Sequence, residues 1–406
     1  MLTAVIVAAA GVWWFSPFEY MAGLDGTPPK AVSGVPAEGL RFFRDVKDPV
    51  LAAGALVERH GRGVRAVDLG TGRTWWSLSR PGRASVTEVG KLDGTHVAVV
   101  WTDRRLTIVD VPSGHRLHVG LPDRSAHGSD LDEDKTPVQT NGLTDSHGHL
   151  LVVAVQDRGV DVYDASSGRR AWTRPAPRNC SYWDAVQDGI QVQNRVLSLD
   201  VYCSEDGTTQ YAYSTLLGPT GTPLPGFGHF PGGSLLPAGD HELLQYEHHG
   251  VEGVGYRLID LRTARTLWRV DQASSSPLGG LDEVTATAGR VVVTDPLGGQ
   301  IAVYRAADGK ALWRWRLPRF GEETILLHSG MVIAGRVRVL ARHPGPVRVI
   351  TFDASGEIMA EQELPMFETA GNPVLSGGAY ETLVIRDSIP EPDSTARPSV
   401  LLTAAR

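Results

Sequence analysis

Few residues in this 406-residue chain combine types and spacings suited to chemistry. Cys180 and Cys203 are its two cysteines, and two alone cannot close a structural zinc site. They bracket a predicted hairpin with its turn around Asp188–Asn194, and antiparallel pairing about that turn puts 180 opposite 203. A disulfide is the expected outcome in an oxidising compartment, with two buried free thiols as the alternative. Asp130, Asp132 and Asp134 have the opening spacing of a calcium loop but lack its glycine and distal glutamate, and read as a solvated acidic loop. His147 and His149, beside Asp145, would share one side of a strand, whereas His248 and His249, after Glu247, would face opposite sides. Both groups read as turn and surface histidines, so no metal site is expected.

Nucleophilic catalysis finds no support, because no Gly-x-Ser-x-Gly elbow occurs. Gly226-Phe-Gly228-His-Phe-Pro-Gly232 is not a dinucleotide loop, and no βαβ pattern surrounds it. A glycosidase pair cannot be picked from the carboxylates without distances. Asn179-Cys-Ser181 matches a glycosylation sequon and reads as a chance match. No catalytic residue is assigned, and cofactor-binding residues stay unassigned. The net charge of −7 is spread along the chain, which argues against a nucleic-acid partner.

The elements that position these residues are short strands. The 46 glycines and 26 prolines punctuate turns, and no long stretch sustains a helical period. At the N-terminus, residues 1–18 begin MLTAVIVAAAGVWWF, an uncharged apolar run without the usual basic start. Three readings compete for it: a signal anchor or transmembrane segment, a cleaved signal peptide, and a buried apolar strand. Residues 19–39 read as a linker, followed by a first strand near Leu40–Val46 and a β domain over 40–406.

One frame repeats along that domain. It is Asp68, Gly72, Trp76 in VRAVDLGTGRTWW; Asp164, Gly168, Trp172 in VDVYDASSGRRAW; Asp260, Ala264, Trp268 in YRLIDLRTARTLW; and Arg305, Gly309, Trp313 in IAVYRAADGKALW. Weaker copies carry Asp110, Gly114, His118 and Leu217, Gly221, Pro225, while VITFDASGEIMAE has Asp353 and Gly356 one residue short. Successive frames lie 42 to 54 residues apart, the spacing of four-stranded propeller blades. The aspartate ends a strand and can bond the backbone two residues on. The glycine supplies a positive φ. The tryptophan begins the outer strand, where a large ring can fill the wedge between blades. After the seventh frame, strands at Pro373–Ser376, Glu381–Asp387 and Ser399–Thr403 could form a last blade closed by Leu40–Val46. Eight blades are therefore expected, with seven as the alternative.

The frame resembles the repeat of the PQQ-like, or quinoprotein-type, β-propellers, a family that includes dehydrogenases and a subunit of an outer-membrane assembly machine. The resemblance runs from about Val50 to Arg406 and implies an all-β propeller. The family's dehydrogenases carry an adjacent cysteine pair over the quinone. Here the cysteines are 23 apart, so PQQ is not expected and no cofactor is predicted. The resulting expectation is a non-dehydrogenase propeller on the extracytoplasmic side of a cell membrane, tethered by its N-terminal segment. It would bind a protein or peptide partner without catalysis. A quinoprotein-like or other enzyme using the channel, and an extracytoplasmic ligand sensor, are the alternatives.

Overall fold

The computed structural model describes residues 19–23, 41–43, 47–69, 71–123, 138–182, 191–193, 195–204, 210–224, 230–231, 235–238, 241–248, 254–263, 265–272, 284–287, 289–295, 300–316, 326–333, 336–342, 347–364, 373–379, 382–387 and 400–402. All regular structure in them is β, and among these residues no helix is long and apolar enough to cross a membrane.

The strands form consecutive antiparallel sheets, each running from an inner to an outer strand. Sheet I is Lys47–Ala52, Ala55–His60, Gly63–Asp68 and Thr74–Ser79. Sheet II is Val86–Lys91, His96–Trp101, Arg105–Asp110 and Arg116–Gly120. Sheet III is Gln139–Thr144, Leu150–Gln156, Gly159–Asp164 and Arg170–Pro175. In sheet IV, Cys180–Ser181 and Gln191–Gln193 both pair with Val196–Ser204, followed by Gln210–Leu217 and Phe230–Pro231. Sheet V is Leu235–Pro237, Glu242–His248, Val254–Asp260 and Arg265–Gln272. Sheet VI is Val284–Thr287, Arg290–Asp295, Gln300–Arg305 and Ala311–Arg316. Sheet VII is Leu326–Ile333, Arg336–Arg342, Val347–Phe352 and Ile358–Leu364. Two further pairs are Pro373–Ala379 with Thr382–Asp387, and Arg41–Phe43 with Val400–Leu402.

Each inner strand neighbours the inner strand of the next sheet, and Pro373–Ala379 neighbours both Leu326–Ile333 and Lys47–Ala52. Sheets therefore pack face to face around a ring, which explains why second strands read as unbroken apolar runs. His96–Trp101 is buried at five consecutive positions after His96, because both of its faces meet a sheet. The cores lie between neighbours. Trp76, Val57 and Leu78 of sheet I meet Val97, Val99 and Trp101 of sheet II, and Val292, Ile301 and Trp313 of sheet VI meet Val337, Val339 and Phe352 of sheet VII. Each such apolar side chain contributes about 1.5–3 kcal/mol through burial.

The repeated frame is a hairpin followed by a bulge. Asp68 N–H donates to Arg73 O at 2.9 Å and Gly72 N–H to Asp68 O at 2.7 Å; Asp164, Arg169 and Gly168 repeat the pattern at 2.8 Å each. Asp68 Oδ1 accepts from Thr71 N–H, and Asp164 Oδ1 from Ser166 and Ser167 N–H. Asp260 Oδ1 accepts from Arg262 N–H in the same way. Where Arg305 replaces the aspartate, Asp308 caps the turn instead, accepting from Lys310 N–H at 3.1 Å. The ladder then slips by one residue, so that Trp75, Ala171, Leu267, Leu312 and Met359 are each skipped in the pairing. Such a bulge turns the strand and re-aims the next side chain. In four of the five, that next side chain is the frame's tryptophan. Sheet II has His118 at this position, and its ladder there is continuous.

The tryptophan reaches the hairpin of the following sheet. Trp76 Nε1 donates to Val111 O at 3.0 Å, Trp172 Nε1 to Pro219 O at 2.6 Å, and Trp268 Nε1 to Ala306 O at 2.7 Å. The rings lie against turn glycines. A Cβ on Gly221 would stand 2.8 Å from the Trp172 ring, one on Gly309 2.5 Å from Trp268, and one on Gly356 2.7 Å from Trp313. Gly309 also needs its φ of +67°. The sheet VII hairpin is one residue short, and Trp313 Nε1 finds no partner among the described residues.

One expectation needs correction and another is narrowed. The stretch 19–39, read as a linker, contributes a strand: Tyr20–Ala22 pairs with Thr74–Ser79 as a fifth, outermost strand of sheet I. Three residues are too few to show a period, and edge addition works mainly through backbone bonds. The turn opposite the cysteines is narrowed to the end of the expected range, between Gln193 and Val196, because Gln191 pairs with Ser198 and Gln193 with Val196. Cys180 still faces Cys203, because nine residues, 182–190, separate the two pairing segments on one side of the ladder and three, Leu199–Val201, on the other.

Candidate functional site

Two features stand outside the packing scheme: the outer edges of the sheets and one group of inner hairpins.

At the outer edge of sheet I, Tyr20–Ala22 is already in place. Met21 packs on the core cluster that holds Trp75 and Trp76. Just before it, Glu19 accepts a hydrogen bond from Thr107 Oγ1 in sheet II, and Thr107 in turn accepts from Trp101 Nε1 at 3.0 Å. His118 Nδ1 stands 3.6 Å from Glu19. The added strand is thus tied to two sheets. The corresponding edges of sheets V, VI and VII carry no paired strand among the described residues. There the bulged residues are exposed, Leu267 at 41%, Leu312 at 36% and Met359 at 45%, with Ile358 beside Met359 at 47%; Trp75, their counterpart in sheet I, is 9% exposed. At Leu267 and Leu312 the bulge directs the following tryptophan inwards and leaves the skipped residue outside, whereas Trp75 lies in the core cluster against which Met21 of the added strand packs.

The hairpins joining first and second strands share one end of the ring with the Asp–Gly hairpins. Backbone bonds link the two sets, from Val111 N–H to Thr95 O at 2.9 Å and from Ala165 N–H to Leu150 O at 3.0 Å. Among the described residues, two of these hairpins combine an aspartate with histidine. In sheet II, Asp93 Oδ1 accepts from Thr95 and His96 N–H, and Asp93 Oδ2 lies 3.0 Å from His96 Nδ1. Burial pushes the Asp93 carboxyl up, but the His96 side-chain bond and the two N–H bonds outweigh it and bring it down to about 2. The Asp93 side chain in turn raises His96. In sheet III, Asp145 Oδ1 accepts from His147 N–H at 2.7 Å and His149 N–H at 2.9 Å. Its Oδ2 lies 3.2 Å from His149 Nδ1 and 3.7 Å from His147 Nδ1. The His149 backbone bond is the main cause that lowers the Asp145 carboxyl. The histidine rings stack with centroids 5.8 Å apart. One donor atom from each of the three residues lies within 4.8 Å of the others.

The other sequence candidates fall in four groups. Cys180 and Cys203 form a disulfide between adjacent strands of sheet IV. Asn179 holds a φ of +61° and accepts from Ser204 N–H, next to that disulfide. Glu247 and His248 lie on the second strand of sheet V. Asp130, Asp132, Asp134, Gly226, Gly228, Gly232, His249 and Ala264 lie outside the described residues. Sequence reasoning allows an added strand at blade edges but does not single out Leu267, Leu312 and Met359. Their signal was an apolar residue before the frame's outer-strand position, which only the bulge makes interpretable.

Known proteins place this architecture. No curated protein sequence matches the chain. Among solved structures, the crystal structure of BamB from Moraxella catarrhalis is 15% identical, covers 90% of this chain and 97% of its own, and gives a TM-score of 0.49. The C-terminal WD40 domain of Sif2 is 10% identical with the same coverage and a TM-score of 0.50. The Dos1 propeller is 8% identical, covers 93% of this chain and 94% of its own, and gives 0.46. The likeness to the Sif2 domain concerns the fold alone, an all-β propeller. The family model described as outer membrane protein assembly factor BamB matches residues 40–200 and 254–365, a span that holds every repeated frame except the weak copy at Leu217, Gly221 and Pro225; the chain belongs to that family.

Proposed function

We propose that this protein is a non-enzymatic scaffold that binds an extended segment of a protein partner along its outer rim. The carrying observation is the contrast between edges. Sheet I already accepts a strand from outside the repeats, Tyr20–Ala22, whereas the equivalent edges of sheets V to VII pair with no strand among the described residues and carry Leu267, Leu312, Ile358 and Met359. Strand addition supplies backbone hydrogen bonds for affinity, and alternate apolar side chains supply specificity. The likeness to an assembly factor is in keeping with a protein partner.

The ring on this reading has eight blades. Pro373–Ala379 and Thr382–Asp387 begin the last, Val400–Leu402 lies next to Thr382–Asp387, and Arg41–Phe43 adds the outer strand. The proposal further tethers the ring to a membrane through residues 1–18, on the extracytoplasmic side, where a disulfide such as Cys180–Cys203 is stable.

A photo-crosslinking residue placed at Leu312 or Met359 in cells expressing the protein tests the reading. It expects one protein adduct at both positions, lost when Leu267→Glu is also present. Adducts insensitive to that charge, or none at either site, would overturn it.

A further inference from the structure

We propose that the Asp145–His149 hairpin is a binding site for a divalent transition-metal cation of the zinc class, held by Asp145, His147 and His149. The three donors come from one five-residue segment whose backbone is fixed. Asp145 N–H donates to His149 O at 3.0 Å, Gly148 N–H donates to Asp145 O at 3.2 Å, and Gly148 adopts a φ of +86°. That geometry puts both imidazoles on one side of the carboxylate.

The carboxylate is oriented before any ion arrives. Two backbone N–H groups hold Oδ1, which leaves Oδ2 facing both Nδ1 atoms. Outer bonds of this kind fix a ligand's direction and strengthen its binding. Donors within 4.8 Å of one another must draw together to reach metal–ligand bonds of about 2.0–2.2 Å. The histidine side chains are 77% and 69% exposed, so they can rotate without disturbing a core.

The donor set selects the ion. Two imidazole nitrogens and one carboxylate oxygen suit zinc and its neighbours, whereas calcium and magnesium require oxygen ligands. Three protein ligands leave a fourth position open to water or to a donor from another molecule. The Asp93 hairpin of sheet II provides an internal comparison. It has the same aspartate cap but one histidine, with Thr95 where the second would have to stand. Two donors hold zinc poorly, so this neighbour should not compete.

Calorimetric titration of the full-length protein with zinc chloride in a non-chelating buffer tests the site. The expected result is one equivalent bound, weakened about tenfold or more in each of His147→Gln and His149→Gln and weakened in Asp145→Asn, but unchanged in His96→Gln. Substituting cobalt for zinc should give the visible absorption of a low-coordinate site in the wild type and lose it in both histidine variants. Melting curves matching the wild type without metal would establish that the variants fold. Unchanged zinc binding in both histidine variants, or no binding by the wild type, would overturn the proposal.

Discussion

Replacing Gly309 by alanine separates the two reasons for a glycine in the repeated turn. A Cβ there meets a left-handed backbone, φ +67°, and the Trp268 ring at 2.5 Å. Gly289, in the same sheet, has a similar φ of +73° with nothing within 4 Å of a built Cβ. Gly289→Ala therefore measures the backbone term alone, about 1–2 kcal/mol. Gly309→Ala adds overpacking of about 1–3 kcal/mol. The ring cannot retreat freely, because its Nε1 is bonded to Ala306 O at 2.7 Å, and moving off forfeits about 1 kcal/mol. Gly309→Ala should accordingly destabilise more than Gly289→Ala by about 1–3 kcal/mol. In a Trp268→Ala background the clash is gone, and the effect of Gly309→Ala should fall to that of Gly289→Ala. Urea denaturation followed by circular dichroism reads all four variants, and the cycle yields the coupling. Equal effects of the two glycine substitutions, or additivity with Trp268→Ala, would refute the docking of one sheet's tryptophan on the next sheet's turn.

Other outcomes follow from the same structure. Trp76→Phe should destabilise by about 1–3 kcal/mol more than Trp313→Phe, because only the first breaks an indole hydrogen bond and strands the buried Val111 O; comparable urea midpoints would contradict this. Replacing both Cys180 and Cys203 by serine should lower stability by about 3 kcal/mol through loss of a cross-link spanning 23 positions, seen as a melting shift that reducing agent reproduces in the wild type. The Asp93–His96 pair should couple most strongly at about pH 5. Asp93, lowered from 3.8 to about 2, contributes above the unfolded value and loses that contribution as pH falls towards 2. His96, raised above 6.5, contributes below 6.5 and loses that contribution as pH rises through its folded value. A double-mutant cycle with Asp93→Asn and His96→Ala should stay below about 1 kcal/mol, since solvent screens both groups, and a cycle flat from pH 2 to pH 8 would exclude the coupling. Deleting residues 1–25 removes Tyr20–Ala22, whereas deleting 1–18 does not; limited proteolysis should find only the first deletion weakened around Thr74–Ser79.

What could be read without coordinates is local. Asp68, Asp164, Asp260 and Asp353 bond N–H groups within four residues of themselves, and Gly72, Gly168, Gly309 and Gly356 adopt positive φ in those same turns. Such chemistry is completed inside one hairpin, so each copy carries its own signature, and even Arg305 has a replacement cap three residues away. The family and the propeller class follow from repetition of that signature. The remaining features depend on residues far apart in the chain. Trp268 needs Gly309 and Ala306 of the next sheet, and the skipped pairing at Leu267 matters because of that distant site. Glu19 meets Thr107 across 88 positions, although three residues of strand leave no pattern to detect. At Asp145 the residues were in view, but their convergence was not. Strand alternation describes an extended chain, whereas a positive φ at Gly148 folds this segment back and directs two histidines at one carboxylate oxygen. The sequence by itself determined the turns and their periodicity, because those energies are short-range. Tertiary structure decided where a strand is added to an edge and which donors meet, because those depend on how distant segments lie against one another.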